Sequence, residues 1–213
     1  KVLAKKINTD ATEILALESE KYKSFFVYMS TDYVFDGKIG MKKEEDKPNP
    51  INFYGKSKLD GEKILKKIST PNIIVRISTP FGIHPKKISF PFWIKNNLES
   101  KKGIPVLIDQ YTSPTYVPNI SKMIIEIIEK ELTGIIHLAG DTKISRYDFA
   151  LDVCKIINAD KQYLKVTKMK QMHWKAQRPM DSSLDVSKAR EILDHKPEKI
   201  ENSLKLLFNK IKK

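Results

Sequence analysis

The chain has a single cysteine, Cys154, among its 213 residues, so it cannot close an internal disulfide. Its four histidines, His84, His137, His173 and His195, show no metal-ligand spacing with that cysteine or with one another, so no metal site is expected. Cys154 falls in the apolar pattern Phe149, Ala150, Val153, Cys154 and Ile157, the setting of a packed thiol rather than a nucleophile. No apolar run approaches the roughly 20 residues that span a bilayer, and Lys1-Val2-Leu3-Ala4-Lys5-Lys6 lacks the apolar stretch of a secretion signal. No membrane partner is expected, and the cytoplasm is the default location.

Arginine is also scarce, at four of 39 basic residues. The formal charge of +13 would suit a nucleic-acid binder. Base reading and bidentate phosphate recognition, however, favour the guanidinium fork over lysine. The lysines are interspersed with acids, as in Lys42-Lys43-Glu44-Glu45-Asp46-Lys47. The charge therefore reads as solvated surface, with no nucleic-acid partner, although a basic surface attracts small anionic substrates. Glycine is sparse too, at positions 37, 40, 55, 61, 82, 103, 134 and 140, and no group of them forms a glycine-rich dinucleotide loop after a strand.

What is present is an alternation of helices and strands. Val2, Leu3, Ile7, Ala11, Ile14 and Leu15 recur at helical spacing and lead into the apolar run Phe25 to Met29, which predicts a helix feeding a buried strand. Residues 32–50 carry Gly37, Gly40, Pro48 and Pro50 and read as a long surface loop. A helix is expected from Asn49-Pro50 to about residue 68, then a strand over 72–77, a helix over 90–99 and a strand over 104–108. A helix over 118–130 and a strand over 134–139 follow. Ser145 and Asp148 fit the pattern that caps the start of a further helix, and a last amphipathic helix runs through Leu204, Leu207, Phe208 and Ile211. Continuous apolar strands alternating with helices predict a parallel sheet covered on both faces.

Chemistry is suggested where the first strand ends. Ser30-Thr31 projects a hydroxyl at the carboxyl edge of the sheet, where open parallel sheets bind ligands. Tyr54 and Lys58, four apart, share one helix face. Chance alone accounts for one such pair in so lysine-rich a chain, so context decides. A phenol titrates near 10 and needs a neighbouring ammonium to work near neutral pH, which Lys58 would provide. The Thr31 hydroxyl could bond the substrate oxygen or the tyrosine.

The ordered motifs Ser30-Thr31-Asp32-Tyr33-Val34-Phe35-Asp36-Gly37, Glu44-Glu45-Asp46, Tyr54-Gly55-Lys56-Ser57-Lys58 and Gly61-Glu62 resemble the extended short-chain dehydrogenase/reductases, most of all the dTDP-4-dehydrorhamnose reductase family. Arg76-Ile77-Ser78, Asp109-Gln110, Ser113-Pro114-Thr115, Gly134 to Gly140, Ser145-Arg146-Tyr147, Arg178-Pro179 and Asp181 to Asp185 extend the likeness over essentially the whole chain.

The resemblance implies an α/β fold: a Rossmann-like parallel sheet with helices on both faces, N-terminally incomplete, plus a small C-terminal substrate-binding α/β lobe. Residues 1–80 would be the remaining part of the catalytic domain. Residues 81–213 would complete the sheet over about 104–140 and form the lobe. The family's glycine-rich turn follows its first strand, so roughly 60 residues of the fold are expected to be missing ahead of Lys1. A sheet without those strands would expose an edge and apolar faces.

The resemblance further implies reduction of the 4-keto group of a dTDP-6-deoxy-4-keto sugar, in dTDP-L-rhamnose biosynthesis, with NADPH or NADH as cofactor. Thr31, Tyr54 and Lys58 would be catalytic, with Tyr54 and Lys58 also touching the cofactor. The nucleotide sugar would meet Thr31, Asp32, Thr79, Gln110 and Thr115, with Arg178 on the diphosphate. Thr79 stands where the bacterial enzymes carry a tryptophan, a departure that bears on sugar specificity. A homodimer is the assembly to test. The alternatives are a nucleotide-sugar epimerase or dehydratase, and a non-catalytic regulatory or nucleotide-sugar-binding subunit.

Overall fold

The computed structural model describes residues 1–210. Helix α1 (Val2–Lys5) runs through a π-helical turn, Lys6–Asp10, into α2 (Ala11–Lys21) and then strand β1 (Phe26–Thr31). Helix α3 (Phe53–Leu65) leads to β2 (Asn72–Ile77), β3 (Pro80–Phe81), α4 (Phe90–Glu99) and β4 (Ile104–Leu107). Next come β5 (Tyr111–Thr112), β6 (Thr115–Tyr116), α5 (Val117–Glu129), β7 (Gly134–His137), β8 (Ile144–Ser145) and α6 (Arg146–Ile157). Strand β9 (Leu164–Thr167) and helices α7 (Ser187–Ile192) and α8 (Ile200–Asn209) follow. Ile211, expected in the last helix, lies outside the described residues.

The central sheet has the order β1-β2-β7, and all of its pairings are parallel, with Thr31 opposite Ile77 and Arg76 opposite His137. Side-chain alternation sends Phe26, Tyr28, Ile74 and Ile135 to one face, where they meet Ala16 of α2 and Ile64 and Leu65 of α3. Val27, Met29, Ile73, Val75 and Ile136 go to the other face, against Ile120, Met123 and Ile127 of α5 and Ala189 of α7. Each fully buried aliphatic side chain contributes about 1.5–3 kcal/mol, which is why the two-sided apolar strands demand helices on both faces.

Capping groups fix where the helices begin. Asn52 accepts a hydrogen bond from the Gly55 N–H at 2.8 Å, so α3 starts at Phe53, three residues beyond Pro50. Ser145 accepts from the Asp148 N–H at 3.0 Å and starts α6, as the sequence predicts. Cys154, on α6, is 4% exposed in an apolar cluster with Phe149, Ala150 and Val153, and burial raises its thiol pKa.

Two expectations need correction. The segment 104–140 adds only β7 to the central sheet, because β4 pairs in parallel with β9 instead. Its inward residues Ile104 and Val106 pack with Ile94, Phe149, Val153, Leu204 and Leu207, a core separate from that of the sheet. In the first helical segment, Val2, Leu3, Ile7, Ile14 and Leu15 are exposed, and the residues buried in α2 are Thr12, Ala16 and Ser19. That inner face is polar because it bonds α3: Asn8 Nδ2 donates to Ser57 Oγ at 3.0 Å and Thr9 Oγ1 to the Ser57 carbonyl at 3.1 Å. Among the described residues β1 pairs only with β2 and so forms an edge of the sheet.

Candidate active site

Strands β1 and β2 end level with each other, and the residues just beyond them form a chain of buried hydroxyl and carboxylate groups. Thr31, 5% exposed, donates to Asp32 Oδ1 at 2.9 Å. Ser78 donates to Asp32 Oδ2 at 2.8 Å and sits 2.8 Å from Thr112 Oγ1, which in turn meets the Thr79 hydroxyl. Burial pushes the Asp32 carboxyl up, against hydrogen bonds from Ser182, Ser78 and Thr31 and the charge of Arg146. Thr79 holds φ 41°, a left-handed backbone conformation that a β-branched residue rarely adopts.

Tyr54, near the start of α3, is 47% exposed and packs edge-on to Tyr33 with ring centroids 6.0 Å apart. Burial raises its phenol above the ordinary value, the Thr31 hydroxyl draws it down and Asp32 pushes it up. Lys58, expected to lower it, is not among the groups that act on it. Helical spacing puts the two residues on one face, but the Lys58 ammonium reaches across to β1 and lies 4.3 Å from the centroid of the Tyr28 ring. Burial lowers the pKa of that ammonium, and Glu62, one turn further along α3, raises it.

Beside this cluster lies a cavity of about 250 Å³ whose wall includes Gln110, Arg146, Arg178, Phe90, Trp93 and Trp174. Arg146 Cζ is 5.2 Å from the Phe90 ring centroid and Arg178 Cζ is 4.6 Å from that of Trp174. The Arg146 guanidinium also donates to Thr79 Oγ1 at 3.3 Å. Neither arginine forms an ion pair among the described residues, whereas Arg76 pairs with Glu62 and Arg190 with Asp141. A second cavity of about 610 Å³, against Gly37 and Ile51, shares Met172, Trp174 and Arg178 with the first.

The structure thus gathers Thr31, Asp32, Thr79, Gln110, Arg178 and Tyr54 near one another. Thr115 is directed elsewhere: it is 0% exposed, its hydroxyl donates to the Ser78 carbonyl at 2.6 Å, and it accepts from the Gly140 N–H. That hydroxyl braces the β6 start and is closed to a ligand. Sequence reasoning passed over Arg146 and the aromatic wall of Phe90, Trp93 and Trp174. The available signal was rarity, since in a chain with four arginines each one repays attention. Among the described residues no cluster of His, Cys, Asp or Glu could hold a metal ion, and no helix is long and apolar enough to cross a membrane.

The family described as RmlD substrate binding domain matches residues 1–213. The probable low-salt glycan biosynthesis reductase Agl14 of Haloferax volcanii is 31% identical over 189 residues, 87% of this chain and 63% of that protein. A dTDP-4-dehydrorhamnose reductase of Aggregatibacter actinomycetemcomitans is 32% identical over 93% of this chain and 71% of its own length. Methionine adenosyltransferase 2 subunit beta of Bos taurus is 30% identical over 87% of this chain and 57% of that protein. The chain therefore spans between 57% and 71% of the length of these curated relatives. Among solved structures, a dTDP-4-dehydrorhamnose reductase of Clostridium acetobutylicum superposes with a TM-score of 0.92 at 26% identity, over 99% of this chain and 74% of that one. One from Bacillus anthracis in complex with NADP gives 0.88 at 28% identity, over 96% and 72%. The chain belongs to the RmlD substrate-binding-domain family, with dTDP-4-dehydrorhamnose reductases among its homologues.

Proposed function

We propose that this chain carries the substrate-binding and proton-donating part of a nicotinamide-dependent reductase that converts the 4-keto group of a dTDP-6-deoxy-4-keto sugar to an alcohol, in dTDP-L-rhamnose biosynthesis. The observation that carries the reading is the pairing of two kinds of site. A half-exposed phenol, Tyr54, under the influence of the Thr31 hydroxyl, adjoins a cavity with two guanidinium groups that form no ion pair among the described residues. Two arginine forks suit the oxygens of a diphosphate, and each lies over an aromatic ring. Trp93 and Trp174 offer faces on which a nucleobase can stack. The sugar then points back toward Thr31 and Tyr54, where Thr31 orients the carbonyl oxygen and Tyr54 delivers a proton to it.

A reduced nicotinamide, when bound, supplies the hydride for such a reaction. At its nicotinamide end the chemistry of the donors fits. Lys58 forms no ion pair among the described residues and has donors suited to ribose hydroxyls, and Tyr54 is open on one side. No glycine-rich turn between a strand and a helix exists among the described residues to receive the pyrophosphate.

The test is turnover of the dTDP ketosugar with NADPH or NADH by the natural gene product, with calorimetry of dTDP binding alongside. Tyr54→Phe is expected to lower the rate at least about a hundredfold while leaving dTDP binding intact. Undiminished turnover in that variant would overturn the role of Tyr54. Tight dTDP binding with no turnover in the wild type would favour the non-catalytic reading.

A further inference from the structure

Tyr28 has no part in the chemistry above, yet it is the aromatic side chain on which Lys58 rests. It lies on β1 three residues before Thr31, is 6% exposed, and faces α3 beside Leu65 and Ile74. Its hydroxyl is 3.2 Å from two carbonyl oxygens, Asn8 O before α2 and Lys58 O within α3, and is shared between them as donor. A β-carbon at residue 61 would overlap that hydroxyl, so Gly61 leaves the gap through which the phenol crosses the helix. The ring face then meets the Lys58 ammonium 4.3 Å from its centroid. An ammonium at this separation is attracted by the negative face of the ring, and the attraction strengthens as water is removed.

We propose that Tyr28 is a positioning residue for Lys58: its ring holds the ammonium against β1, and its hydroxyl fixes the turn of α3 from which Lys58 springs. The functional consequence rests on the reductase reading, but the geometry does not. Three observations converge on it: the ring contact, the shared hydroxyl and the gap at Gly61. Without the ring, the ammonium loses the aromatic face that holds it at that spot, Glu62 is left as the group that favours its charged form, and Lys58 moves toward solvent or toward Glu62.

The test begins with NMR of the natural gene product carrying ¹³C-labelled lysine, with Lys58 assigned by Lys58→Met. The side-chain protons of Lys58 are expected upfield of those of other lysines, because they sit in the shielding cone of an aromatic ring. Tyr28→Phe should retain that shift and Tyr28→Leu should abolish it. In turnover assays, an alkaline limb set by loss of the Lys58 proton should move to lower pH by at least about half a unit in Tyr28→Leu and stay put in Tyr28→Phe. A Lys58 signal without upfield displacement in the wild type would overturn the proposal, even if Tyr28→Leu fails to fold. The same holds for a displacement that survives in Tyr28→Leu. If the NMR signature appears as expected but no ketosugar is reduced, the reductase reading falls while the seat for Lys58 stands.

Discussion

Glu62 and Arg76 meet as a two-pronged ion pair, Arg76 Nε to Glu62 Oε1 at 2.9 Å and a terminal nitrogen to Oε2 at 2.7 Å, with both side chains 1% exposed. Ser30 donates to the same carboxylate at 2.6 Å, so the pair joins β1, α3 and β2 just beneath the candidate site. Removing one partner strands a charge in the interior. Arg76→Met should therefore cost about 3–5 kcal/mol, and the double variant with Glu62→Leu should recover most of that loss. Urea denaturation of both variants checks this. A double variant no more stable than the single one would contradict the account.

His137 gives the fold a pH dependence. Its Nε2 lies 3.3 Å from an Arg76 nitrogen and its Nδ1 3.2 Å from the Asp185 carbonyl, while its backbone N–H donates to Glu44. Burial, with the Arg76 charge behind it, depresses the imidazole to about 3. The unfolded chain takes up a proton near 6.5 that the folded chain refuses. The stability is thus complete above pH 6.5 and is lost as pH falls toward 3, at up to about 1.4 kcal/mol per pH unit. Urea midpoints between pH 7 and 5, above the range of ordinary carboxyls, should fall in the wild type. They should stay nearly flat in His137→Gln.

Arg146 and Arg178 should dominate nucleotide affinity. Alanine at either position is expected to weaken dTDP binding by about tenfold or more, in line with hydrogen bonds to a charged group. Arg178→Lys should recover only part, since a lysine neither forks nor stacks flat on Trp174. Arg190→Ala, whose arginine is paired with Asp141 away from the cavity, serves as the control and should leave the affinity unchanged. Calorimetry of the four variants and the wild type decides, and equal affinities throughout would remove the arginines from the site.

The strands of the central sheet were legible because Phe26 to Met29, Ile73 to Val75 and Ile135 to Ile136 are continuous apolar runs alternating with helical patterns, whereas the short helix α7 that brings Ala189 onto the sheet was not. Strand β9 was not, because Lys165 and Val166 are exposed and leave no period to read. The inverted face of α2 was hidden for a related reason. Its apolar residues point outward while Asn8 and Thr9 make the contacts to α3, and hydrogen bonding of that kind carries no hydrophobic period. At the candidate site, Thr31, Asp32 and Tyr54 lie close in sequence and could be read as one motif. Arg146 and Trp174 reach the same cavity from a helix start and a late loop, a convergence that exists only after folding.

The left-handed Thr79 sets two selective pressures against each other. Glycine there would relieve a conformation that a β-branched residue enters at a cost of about 1–3 kcal/mol, but it would also delete the hydroxyl that meets Thr112 and Arg146. A library screened for heat tolerance alone should drift toward Gly or Asn at position 79, and its survivors should be poorer nucleotide binders. A lineage that keeps threonine at this position has been holding on to Arg146.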